Sequence, residues 1–198
     1  MEKYQNKYRI ASTRLPYWDY GWNGAYFITI CTKKQKHFFG SVVDGQMQLS
    51  AMGHIANSCW YEIPNHFPFV ELGAHVIMPN HVHGIVGINK LDGSGGDGRD
   101  AKSCVSTIPK NKFGPQSKNM ASIIRGFKTG VTKHARKINP DFAWQARYWD
   151  HIIRDEPAYQ RITQYISNNP QKWQEDRLNG GRGNKVLEPI VPYRKKLV

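Results

Sequence analysis

Apolar residues recur along this chain with two spacings, and the places where one gives way to the other order its elements. Residues 24–34 (GAYFITICTKK) alternate β-branched and aromatic side chains after a glycine turn, which predicts a strand. Residues 37–49 predict a short hairpin folded at Asp44-Gly45, a dipeptide suited to a tight turn. From Ser50 the spacing lengthens to that of a helix. Ile55, Cys59 and Trp60 fall on one side, Ser50 is placed to cap the start, and Pro64 is expected to end it. Residues 69–78 and 81–88 are β-rich and separated by Pro79-Asn80, giving two strands or one strand broken by a turn. Residues 119–137 are helical again, with Ile123, Ile124, Phe127 and Val131 inward and Arg125, Lys128, Lys133, Arg136 and Lys137 mostly outward. Residues 147–154 (RYWDHIIR) read as a last strand, and Asp155-Glu156-Pro157 marks the start of a helix running to about Asn168, with Pro170 as its stop.

Leaving the hairpin aside, the order is strand, helix, strand, strand, helix, strand, then an added helix. This order predicts an α+β fold of the ferredoxin-like, split βαβ kind: a central antiparallel sheet, two helices on one face, and a further C-terminal helix. The first and third strands are central in that plan, so side chains projecting from residues 81–88 are expected to be rigidly held. The 198 residues suit one domain, with a core over about 24–173. Residues 91–118, rich in glycine, serine and lysine, read as a mobile surface insertion. Residues 174–198 read as a basic tail lying over the domain or left loose.

Charge narrows the class of partner. Twenty-eight Lys and Arg against fifteen Asp and Glu leave a net charge of +13, so an extended polyanion is the natural ligand. Nucleic acid is favoured over an anionic membrane, because no amphipathic anchor accompanies the charge and no apolar run approaches the ~18 residues of a membrane span. A soluble protein is expected. The N-terminal residues lack the apolar core of a secretory signal, and Cys31, Cys59 and Cys104 are widely spaced with no CxxC pair. Reduced thiols and a cytoplasmic location follow as expectations.

Two groups of residues are candidates for chemistry. His81 and His83 flank Val82, and in a strand side chains two apart share a face, so both imidazoles can reach one metal ion. Histidines planted among Val76, Ile77, Ile85 and Val86 are expected to be buried and therefore to need partners. Tyr165 and Asn169, four residues apart, share a helix face that presents a phenol beside an amide oxygen, although Pro170 disfavours helical angles at Asn169. Arg125, Lys128 and Lys133, with Arg147 and Arg154 around the last strand, are placed to track phosphates, while Trp149 or Trp173 is placed to stack on unpaired bases.

The string VIMPNHVHGIV at 76–86, followed by SIIRGFKTGVTKHARK, WQARYWDHIIRDE and YISNNPQKW, resembles the REP-associated tyrosine transposases, relatives of the single-tyrosine HUH transposases of small insertion sequences. The resemblance runs from Tyr26 to Trp173, with the blocks in family order. It implies that His81 and His83 coordinate a divalent ion, that Tyr165 is a nucleophile forming a 5′-phosphotyrosine, and that Asn169 supplies a third ligand at a position where other members can carry Gln. It implies Mg²⁺ or Mn²⁺, whereas ligand preference alone would give an imidazole pair zinc or another transition metal. The implied partner is single-stranded DNA with hairpin ends, and the implied state is monomer or homodimer. Two other readings compete: a catalytically silent or domesticated nucleic-acid-binding module, and a zinc hydrolase using His75, His81 and His83 with Tyr165 a bystander.

Overall fold

The computed structural model describes residues 18–90 and 117–179. Four strands form the main sheet: β1 (Gly24–Cys31), β4 (Val70–Ile77), β5 (His81–Ile88) and β6 (Trp149–Ile153). Their order is β4-β5-β1-β6 and every neighbouring pair is antiparallel. The first and third strands of the βαββαβ succession are thus central, as the split βαβ plan requires. The hairpin expected at 37–49 forms a separate two-stranded sheet of β2 (Gly40–Val43) and β3 (Gln46–Leu49). Asp44 and Gly45 turn it with φ of 50° and 73°, the left-handed pair that matches strand twist in a two-residue loop.

Alternation along the central strands divides the core in two. Tyr26, Ile28 and Ile30 of β1, with Val82 and Val86 of β5, face α1 (Ala51–Tyr61) and α3 (Met120–Ile138). Phe27 and Ile85, one residue out of step, face α4 (Glu156–Asn168) on the other side, where Ala158, Ile162 and Ile166 form its buried stripe. His81 and His83 have the parity of Ile85, so they point to the α4 face. Ser50 caps α1 by accepting from Gly53 N at 3.1 Å, and Asn119 caps α3 in a reciprocal box with Ser122. On the α1 side the Trp60 indole packs against β5 where Gly84 leaves room; a Cβ there would stand 2.2 Å from the ring.

Several expectations need correction. Pro64 does not merely stop the first helix but sits in the first turn of a second, one-turn helix, α2 (Ile63–His66), where its missing N–H costs nothing. Pro170 does not push Asn169 out of helical geometry: Asn169 has φ −58° and ψ −42°, and Lys172 N bonds back to both Asn168 O and Asn169 O. Of the two courses expected for the tail, its described part lies over the domain. Two 3-10 turns, Trp173–Glu175 and Arg177–Asn179, follow α4 and bury Trp173 and Leu178. Polar composition suggested a tail here, but two apolar anchors suffice to hold a strap of this length. Residues 91–116, which hold most of the glycine-rich insertion and Cys104, and residues 180–198 lie outside the described residues. Cys31 and Cys59 are free thiols. No helix among the described residues is long and apolar enough to cross a membrane.

Candidate functional site

The site lies where β1, β5, α4 and the strap after α4 meet. On β5, His81 and His83 are fully buried, their ring centroids 4.4 Å apart. A hydrogen bond fixes the far side of each ring. Thr29 on β1, paired in register with His83, places its hydroxyl 2.9 Å from His83 Nδ1. His81 Nδ1 lies 2.8 Å from Asn80 Oδ1. The Asn80 amide nitrogen donates to two carbonyls, Gln35 O and Leu178 O, which fixes its orientation and makes Oδ1 the acceptor for His81 Nδ1–H. His81 Nε2 therefore carries its lone pair into the site.

Burial determines the charge state of the rings. Desolvation pushes the His83 imidazole down to about 3 and His81 well below its ordinary value, with the neighbouring His83 and His37 adding to the effect on His81. Both rings are neutral near pH 7, the form that binds a metal. His81 Nε2 lies 3.9 Å from Asp176 Oδ2, and this contact is not an ion pair because the imidazole is uncharged.

Tyr165 reaches the same point from the opposite layer. It sits beside the buried Ile162 and Ile166 stripe of α4, and its hydroxyl is 3.4 Å from His83 Nε2. Phe27 lies edge-on to the phenol ring, 5.9 Å away at 85°, and so sets its tilt. One chain thus brings phenol and imidazoles together. One turn on, Asn169 is buried beside the Asp176 carboxyl. Burial raises Asp176 above the ordinary carboxyl value, opposed by the Leu178 N–H, the nearby Asn169 amide and Arg177.

Three polar atoms at this site are buried without a hydrogen-bond partner: His81 Nε2, Asn169 Oδ1 and Asp176 Oδ2. Orphaned acceptors of this kind are rare, because each forfeits its hydration for nothing. Two imidazoles, a carboxylate and an amide oxygen are also a competent donor set for a divalent ion, so the residues present fit one. Among the described residues, His81, His83 and Asp176 are the His, Cys or acidic cluster whose ligand atoms all lie within 4.8 Å of one another. Asp176 was not read from the sequence, where it stands in a polar stretch without apolar periodicity. His75 is absent from the cluster: it stacks on Trp60 on the α1 side of the sheet and bonds Asn57 at 3.0 Å. A three-histidine zinc site from His75, His81 and His83 is therefore not formed.

The basic residues divide differently. Arg125, Lys128, Lys133 and Arg147 line one open groove of about 590 Å³ between α3 and the approach to β6, together with Thr129 and Tyr148. Lys128 is engaged within the fold, donating to Gln145 O at 2.8 Å and Arg147 O at 2.7 Å with its ammonium over Trp144; burial brings it down to about 8. Arg154 is exposed just past the end of β6, outside that groove. Trp149 and His151 stack in parallel on the α4 side of β6, an edge strand, with Trp149 5.6 Å from Phe27. Trp173 is buried against His37 and His81 and is not available as a base platform.

The fold and the paired-histidine strand facing a tyrosine helix define a class, and the comparisons with known proteins agree with it. No family model matches the chain. An uncharacterized protein of Haemophilus influenzae is 42% identical over 168 residues, covering 84% of this chain and 91% of that protein. The chain belongs to one family with it. A second Haemophilus influenzae protein, named "Putative REP-associated tyrosine transposase", is 26% identical over 143 residues, 71% of this chain and 73% of its own length. Among solved structures, that of a REP-associated tyrosine transposase bound to a REP hairpin matches with a TM-score of 0.54 at 18% identity, covering 83% of this chain and 74% of the other. The chain thus resembles the REP-associated tyrosine transposases in sequence, and it shares their fold.

Proposed function

We propose that this chain is a transposase that cuts and rejoins single-stranded, hairpin-bearing DNA, with Tyr165 as nucleophile and a divalent ion held by His81, His83 and Asn169. The observation that carries this reading is the 3.4 Å approach of the Tyr165 hydroxyl to His83 Nε2, made by two elements 82 residues apart in one chain. A phenol that merely edges a core has no reason to meet a pair of neutral, buried imidazoles.

The ion, when bound, would neutralise and orient the scissile phosphate. The chain's own residues supply the rest. Phe27 and the α4 stripe hold the phenol oxygen at the site for in-line attack. Attack by Tyr165 Oη forms an O–P bond and breaks the bond between phosphorus and the 3′ oxygen; the phenol loses its proton and the departing 3′ oxygen gains one. A phenol, with an ordinary pKa of ~10, is a better leaving group than an alkoxide, so a 3′-hydroxyl can reverse the step and reseal the strand without ATP. The groove of Arg125, Lys133 and Arg147 is suited to the phosphate backbone, and Trp149 beside Phe27 is suited to stacking on an unpaired base next to the phenol.

Incubation with labelled single-stranded hairpin DNA and Mn²⁺ tests this. The expected result is a denaturation-resistant protein–DNA adduct in the unaltered protein, none with Tyr165→Phe, and none with His81→Ala, while both variants still bind DNA. Binding without an adduct in the unaltered protein would favour a silent nucleic-acid-binding module. Cleavage that survives Tyr165→Phe would favour a hydrolase.

A further inference from the structure

We propose that Asp176 is a further ligand of the ion at His81 and His83, and that its carboxylate supplies the hard, anionic oxygen donor that Mn²⁺ or Mg²⁺ favours. This rests on the metal reading above and adds to it a residue from the strap that follows α4.

The decisive feature is a conflict between two acceptors. The hydrogen bonds of Asn80 place the His81 proton on Nδ1, so Nε2 presents a lone pair. Facing it at 3.9 Å is Asp176 Oδ2, also an acceptor; both atoms are buried, and neither has a hydrogen-bond partner. That separation is too long for a hydrogen bond. It is within reach of a shared cation, because two atoms each ~2.1 Å from one ion can stand up to about twice that apart. The other carboxylate oxygen is already committed, accepting from Leu178 N at 2.7 Å, which leaves Oδ2 aimed at the histidines.

The strap is built to keep it there. Asp176 N bonds back to Trp173 O, Trp173 packs against the His81 ring, and Leu178 is buried with its carbonyl held by Asn80 at 2.6 Å. Asn80 thus grips the imidazole with one end of its amide and the strap with the other. A carboxylate and an amide oxygen beside two imidazoles add the hard oxygen donors that Mn²⁺ and Mg²⁺ favour and that an imidazole pair alone lacks.

The test is metal binding by the full chain, without DNA: titration with Mn²⁺ followed by the spin-resonance signal of the free ion, and with Zn²⁺ by calorimetry. Asp176→Asn and Asp176→Ser both keep an acceptor for Leu178 N–H, so the strap survives. The expected result is a loss of Mn²⁺ affinity of about tenfold or more in both, with Zn²⁺ affinity falling as well, and His81→Ala weakening both metals. Mn²⁺ affinity within about twofold of the unaltered protein in either folded variant would overturn the assignment of Asp176 while leaving the histidine site intact. No difference between the unaltered protein and His81→Ala would overturn the metal reading itself.

Discussion

At the scale of single residues, the site is defined by what each polar atom lacks or has. His83 is neutral to about pH 3 and His81 well below its ordinary value because both are fully buried, so the unfolded chain binds more protons than the folded one once pH drops below about 6.5. Stability present above that pH is lost as it falls toward the folded values. The metal-free protein is expected to show a urea midpoint that drops between pH 7 and pH 5, and the drop should be shallower in His81→Gln/His83→Gln; an equal drop in both would remove the histidines as the cause. Lys128 illustrates a residue with a structural role that its sequence appearance did not show. It read as a phosphate-binding residue on a basic helix face, yet its ammonium braces the backbone at Gln145 and Arg147. Lys128→Ala is expected to cost about 1–3 kcal/mol in chemical denaturation, against about 0.5 kcal/mol or less for the exposed Arg125→Ala. Asp176 had no sequence signal because a carboxylate in a short 3-10 strap obeys no period.

Among the elements, α3, β5 and α4 were legible to within a residue or two because each carries a strong period and a clear end. Asn119 and Asp155 accept from the N–H groups three residues on, at Ser122 and Ala158, as N-caps do. The parity of β5 is what made the histidine pair readable: period 2 puts His81, His83 and Ile85 on one face, while Gly84 on the other receives the Trp60 ring. Trp60 against Gly84 was not readable, since close approach of a ring from a distant helix leaves no local trace. Gly84→Ala is expected to destabilise the protein by about 1–3 kcal/mol by forcing the indole off the strand, a loss that a melting curve would detect. An unchanged melting temperature would mean that the ring has room to shift. The course of the strap at 173–179 was left open for the opposite reason: its anchors, Trp173 and Leu178, are too few to form a pattern, yet both are buried.

Across the whole molecule, two helices lie on one face of the sheet and the tyrosine helix on the other, which separates the basic groove from the phenol and histidines. The basic groove runs along α3, while the phenol and histidines lie on the α4 face, with β6 as the edge between them. DNA that uses both must pass around that edge, beside Trp149. Removing Arg125 or Lys133 is then expected to weaken DNA binding and to flatten its salt dependence by ~0.7 in log–log slope for each phosphate no longer neutralised, with melting temperature unchanged. A slope unaltered by both substitutions would place the DNA elsewhere. The most direct test of the central claim is to digest the Mn²⁺-dependent DNA adduct with nuclease and trypsin and weigh the peptides. The peptide from Ile162 to Lys172 contains a single tyrosine, Tyr165, whereas Tyr159 falls in the preceding peptide. A nucleotide mass is expected on the former; a nucleotide on the latter, or on any other peptide, would contradict Tyr165 as the nucleophile.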